Sequence, residues 1–116
     1  MNLNKLQGEI NNAYKTLAKN VGLFRNKSIE VAVKKKEIDR KRREIINSGV
    51  IDGKNAEARD SQVFSRMMED YMEHDILETL AMRYRREMEL ALIEVDRLDR
   101  ILRVIELSMK GEDQLK

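Results

Sequence analysis

Apolar residues recur at every seventh position from Leu3 through Ile10, Leu17, Phe24, Val31, Ile38 and Ile45. A seven-residue period marks one edge of a helix that packs along its length, so the spacing predicts a helix over about 3–46. The companion positions are uneven. Leu6, Ala13, Tyr14 and Val21 widen the stripe in the first half, whereas Lys34, Lys35, Lys41 and Arg42 occupy the corresponding places in the second. A broad buried face near the start and a narrow one near the end are therefore expected. Asn20, Gly22, Asn26 and Ser28 are weak helix formers, but the period passes through them unbroken and favours a continuous helix over a break at Gly22.

The stretch 47–55, NSGVIDGKN, gathers the turn-forming residues. Gly49 and Gly53 can take the positive φ that ends a helix, and Asp52 or Asn55 can cap the next one. Glu57 and Asp60 suit that helix's first turn. A second helix is expected over about 56–110, with a frayed tail at 111–116. Its heptad set runs Met67, His74, Ala81, Met88, Val95, Leu102 and Met109, with Asp70, Leu77, Tyr84, Ala91, Leu98 and Ile105 as partner seam. Leu90, Leu92, Ile93, Ile101, Val104 and Leu107 broaden the stripe beyond what a two-helix seam needs.

The expected fold is all-α: one domain over 1–116, a long antiparallel coiled-coil-like hairpin. Helix 2 outruns helix 1, and a lone hairpin of this length buries little core. Dimerisation into a four-helix bundle answers both points. Leu77, Met88, Val95, Leu98, Leu102 and Ile105 are assigned to the core seam or the dimer interface.

Composition narrows the class. The 116 residues include no Pro, Cys or Trp and one His. This excludes a disulfide frame, thiolate metal sites and His-rich centres. No apolar run reaches transmembrane length, and the N-terminus lacks the apolar stretch of a signal peptide, so a soluble cytoplasmic protein is expected. Phosphate loops, nucleophile elbows and metal-ligand spacings are missing, which points away from an enzyme and from any cofactor.

The net charge of +2 hides an asymmetry. Residues 1–46 hold 12 basic and 5 acidic side chains, and residues 47–116 hold 11 and 16. Lys34, Lys35, Lys36, Arg40, Lys41, Arg42 and Arg43 concentrate the cations. Such a run can track phosphates without reading sequence, can meet an acidic protein, or can be a solvated face partly neutralised by Glu37, Asp39, Glu44 and the acidic second helix. Carboxylates abound at Glu69, Asp70, Glu73, Asp75 and Glu78. Asp70 and His74 share a helical face, although His74 reads better as a polar seam position that fixes register. Met67, Met68, Met72, Met82 and Met88 cluster with Phe64, Tyr71 and Tyr84. Thioethers suit irregular cores and adaptable binding surfaces alike, and Met68, Tyr71 and Met72 with Glu69 and Glu73 form the candidate protein-contact surface.

The segment VIDGKNAEARDSQV, followed by a long helix ending LALIEVDRLDRILRVIEL, resembles small coiled-coil or helical-hairpin accessory proteins of tailed bacteriophages and prophages. The likeness covers most of the chain in pattern, and its near-motif is Lys54 to Asp60. It implies a phage accessory protein in the bacterial cytoplasm and brings no catalytic or binding residues with it.

Three functions are compatible with these features. The leading one is a non-enzymatic interaction module that binds or inhibits a host or phage protein, with an anti-defence role implied by the resemblance alone. The second is a nucleic-acid-binding accessory protein of replication or recombination that uses the basic run 34–43. The third is a structural coiled-coil piece of a larger assembly.

Overall fold

The computed structural model describes residues 2–115, with side chains through Gly111. The fold is an all-α helical hairpin with no strand among the described residues. Three helices follow in order: α1 (Leu3–Asn47), α2 (Ala56–Arg66) and α3 (Met68–Leu115). No helix among the described residues is long and apolar enough to cross a membrane.

Asn2 caps α1, its Oδ1 accepting the Asn4 backbone N–H at 2.8 Å. The helix then runs through Gly22 without interruption. At its end the Ser48 N–H bonds the Glu44 carbonyl, and Gly49 takes a φ of +79°, a left-handed geometry that a Cβ resists. Gly53 is required for a different reason. A Cβ there would lie 2.7 Å from the Arg59 nitrogen and 2.9 Å from the Ala58 carbonyl carbon.

Asn55, rather than Asp52, caps α2, its side chain accepting the Ala58 N–H at 2.8 Å. Asp52 instead exchanges hydrogen bonds with Gln62. The Asp52 and Gly53 N–H groups donate to Gln62 Oε1, and Gln62 Nε2 donates to Asp52 Oδ1 at 2.7 Å. The turn is thus pinned to the helix that follows it.

The single second helix expected over 56–110 is divided at Met67. Met67 leaves helical geometry at φ −111°, ψ 11°, yet its N–H is shared between the Val63 and Phe64 carbonyls at 3.1 Å each. Its own carbonyl accepts the Tyr71 N–H at 3.0 Å. The break therefore sacrifices no hydrogen bond at Met67, and hydrophobic periodicity alone does not reveal it. The tail expected to fray is also helical: α3 continues to Leu115, and Lys116 lies outside the described residues.

The chain divides into two compact units. In one, the described residues up to Phe24 pack with those from Arg83 onward. Its buried side chains are Leu6, Ala91, Val95 and Leu98, the last at 2% exposure, and Tyr14 donates its hydroxyl to Asp99 at 2.9 Å. Met88, Leu102 and Ile105 are half-buried there. The buried face at the start of helix 1 is narrower than expected: Leu6 is buried and Ile10, Ala13, Leu17 and Phe24 are half-buried, whereas Leu3, Tyr14 and Val21 are exposed.

The other unit is Arg25–Met82. Ile38, Val63 and Met67 form its core, with Ile45, Ile51 and Tyr71 packed against them. Ala81 is buried and Leu77 half-buried. Here the seam of α1 is completed by charge instead of hydrocarbon, at Lys34 and Lys41.

Candidate functional site

The unit Arg25–Met82 holds most of the chemistry that the sequence singled out. Lys34 and Lys41 sit seven residues apart on α1 and face α3. Asp70 Oδ1 accepts from both ammonium groups, each at 2.9 Å. Lys34 also reaches Glu73 Oε2 at 2.7 Å, and Lys41 meets Glu37 Oε1 at 3.1 Å. Lys34 is only 6% exposed, which a lysine tolerates only when its charge is answered. No buried side-chain nitrogen or oxygen lacks a partner among the described residues.

The protonation states follow from this geometry. Hydrogen bonds to Glu73 and Asp70 push the Lys34 ammonium well above the usual lysine range. Lys41 is raised by Asp70 and then Glu37. Asp70 is held below its ordinary value by Lys34 and then Lys41, and Glu37 is lowered chiefly by Lys41. Both ammonium groups and the carboxylates of Asp70 and Glu37 thus stay charged together.

This network divides the basic run. Lys34 and Lys41 hold the unit together, so they are not offered to a partner. Arg40 is exposed and bonds Glu44 at 2.8 Å within its own helix. Lys35, Lys36, Arg42 and Arg43 are exposed and make no ion pair among the described residues. Glu73 is engaged by Lys34, although its side chain stays exposed. Asp70 is unavailable to share a metal with His74.

His74 is half-buried. Its Nδ1 lies 3.5 Å from Asp75 Oδ1 and 3.6 Å from Glu78 Oε2. The three ligand atoms lie within 4.8 Å of one another, but both carboxylates are exposed and all three residues come from one helix. Such groupings are common without an ion. An open groove of ≈ 430 Å³ runs beside His74, with Val31, Ile38 and Tyr71 along it and Lys35 and Arg42 at its edge.

The methionine cluster separates as well. Met67 is in the core at 1% exposure, and Tyr71 is half-buried and stacks on Phe64 with ring centroids 5.5 Å apart. Met68 and Met72 face outward at 48% and 57% exposure, together with Phe64 at 52% and Ile76 at 59%. Phe64 and Met68 share an open groove of ≈ 840 Å³ with Glu57 and Asp60. Met68, Met72 and Ile76 follow at four-residue intervals, which places them on one face of α3. Exposed Glu69 and Asp75 flank them. Ile76 was not among the sequence candidates, although its spacing from Met72 could have included it.

Fold and site together define an all-α hairpin with a partly paired basic helix and an acid-edged, methionine-rich outer edge. No known protein family, curated protein or solved structure matches the chain.

Proposed function

We propose that this chain is a non-enzymatic protein-binding module whose outer α2–α3 edge captures a basic amphipathic segment of another protein. The observation that carries this reading is the row Phe64, Met68, Met72 and Ile76, all about half exposed and bordered by Glu57, Asp60, Glu69 and Asp75. Large apolar side chains gathered on a surface mark interaction sites, and flexible thioethers accommodate partners of varied shape. The carboxylates favour a partner that brings lysine or arginine beside its apolar residues. The bacteriophage resemblance supplies a setting: an accessory protein in the bacterial cytoplasm acting on a host or phage protein, including one of host defence. Affinity capture from bacterial lysate, compared between the wild type and Met72→Lys, tests the reading. A protein retained by the wild type and lost with the variant supports it, and identical profiles oppose it.

A second reading rests on Lys35, Lys36, Arg42 and Arg43, exposed cations without ion-pair partners among the described residues. They would contact phosphates of nucleic acid without reading sequence. The loss of Lys34 and Lys41 to the internal network reduces the charge available for that role.

A further inference from the structure

The unit built on the C-terminal half of α3 leaves a second apolar stripe uncovered, away from the seam that holds Val95 and Leu98. Leu90, Ile93, Val104 and Leu107 are 52%, 63%, 63% and 59% exposed. They are joined by Arg97 and Arg100 in an alternating three-and-four spacing, 90, 93, 97, 100, 104 and 107, the pattern of a coiled-coil seam. Read in either direction it has the same order: two apolar residues, two arginines, two apolar residues.

We infer that this stripe pairs with the same stripe of a second copy, antiparallel, about a two-fold axis between Leu98 and Asp99. A two-fold contact must be self-complementary, with residue i meeting j and j meeting i, and the stripe satisfies this at its apolar layers. Leu90 meets the partner's Leu107, and Ile93 meets the partner's Val104. At the flanks Asp96 faces the partner's Arg103, and Glu89 faces the partner's Lys110. The central arginines are the unfavourable layer, but Arg97 already carries its own counterion, Glu94, through hydrogen bonds of 2.7 and 3.0 Å.

Charge also rejects the nearest alternatives. An antiparallel pairing centred between Ala91 and Leu92 would set Leu90 on Ile93, but it places Glu89 opposite Asp96 and Glu87 opposite Glu94. A parallel pairing brings Glu89 beside Glu94. Like charges at these flanking positions oppose association, and opposite ones set partner and direction. Only the centre at Leu98–Asp99 combines apolar layers with opposite flanking charges. The seam residues Val95 and Leu98 serve the fold of one chain, so the second copy is met by the exposed Leu90, Ile93, Val104 and Leu107.

This inference is independent of the α2–α3 edge, and its test uses the full chain. The chain has no cysteine, so single cysteines report proximity cleanly. Under mild oxidation, an equimolar mixture of Leu90→Cys and Leu107→Cys is expected to form a covalent heterodimer. Leu90→Cys alone is expected to remain uncrosslinked, because in the antiparallel register its two copies lie roughly 26 Å apart at 1.5 Å per residue. Sedimentation equilibrium is expected to show a mass that rises with concentration. Asp96→Arg should weaken the dimer by about tenfold or more, and adding Arg103→Asp should restore it. Self-crosslinking of Leu90→Cys, a monomer mass at every concentration, or an Asp96→Arg dimer of unchanged affinity would each overturn the proposal.

Discussion

Asp70 accepts hydrogen bonds from Lys34 and Lys41 through a single carboxylate oxygen, each at 2.9 Å. One acidic residue on α3 thereby fixes two positions on α1, one heptad apart, where the seam would otherwise carry apolar residues. The pairing answers the buried ammonium of Lys34 and sets the register of the unit Arg25–Met82. It also changes what the basic run can be used for, since two of its seven cations belong to the fold.

Asp70→Asn removes the shared acceptor charge and leaves Lys34 to Glu73 and the more distant Glu37. A loss of about 1–3 kcal/mol in unfolding free energy is expected, the scale of breaking a charged hydrogen bond at a part-buried site. Urea denaturation reads it directly. In a double-mutant cycle, Lys34→Met with Asp70→Asn should cost less than the two single losses combined. Strict additivity would mean that the two residues do not act as a pair.

The same network dictates a pH dependence. The folded-state pKa of Asp70 is depressed from 3.8, so its contribution is complete above the unfolded value and is lost as pH falls through the folded one. Lys34 and Lys41 are raised from 10.5. Their contribution is complete below that value and is lost as pH rises through the raised ones. Stability is therefore expected to be level between about pH 5 and pH 10, with decline on both sides. The acid decline should shrink in Asp70→Asn and the alkaline one in Lys34→Met, as seen in urea midpoints measured across pH.

Much of the architecture was legible in the heptads. Leu77, Ala81, Met88, Val95, Leu98, Leu102 and Ile105 all fall on the covered side of α3, as the period requires. Three features were not legible, each for a physical reason. The break at Met67 preserves its hydrogen bonds and so leaves no trace in hydrophobic spacing. The charge asymmetry showed that the acidic second helix answers part of the basic run, but not that Lys34 and Lys41 share Asp70, which stands far away in sequence. Leu90, Ile93, Val104 and Leu107 broadened the apolar stripe, but only the structure separated them from the seam that α1 covers. At the candidate site, Met68, Met72 and Glu69 were legible as outward residues. Glu73 is outward as well but engaged by Lys34, and Tyr71 is half-buried; a local pattern does not show what a carboxylate or ring meets.

Three glycines should respond differently to alanine. Gly22→Ala adds a methyl to a helical position with nothing within 4 Å and should stabilise by about 0.5–1 kcal/mol. Gly49→Ala meets a positive φ and should cost about 1 kcal/mol. Gly53→Ala drives a Cβ into the backbone of α2 and should cost about 1–3 kcal/mol. Thermal melts of the three variants give the order, and a Gly53→Ala melt equal to wild type would contradict the turn geometry described here.

Binding to generic duplex DNA separates the two functional readings. The protein-binding reading expects no micromolar association at low salt. Association that weakens steeply with salt, and disappears in Lys35→Glu/Lys36→Glu/Arg42→Glu/Arg43→Glu, would favour the nucleic-acid reading. These four positions are the informative ones, because replacing Lys34 or Lys41 would disturb the fold as well.

The central claim is that the outer edge formed by Phe64, Met68, Met72 and Ile76 is a protein-binding surface for basic amphipathic segments. Calorimetric titration with a synthetic amphipathic Leu/Lys helix tests it most directly, with the wild type and Met72→Lys run side by side. The expected result is saturable binding to the wild type that weakens about tenfold or more in the variant, with both proteins melting at the same temperature. No binding to the wild type, or equal affinity for both proteins, would contradict the account.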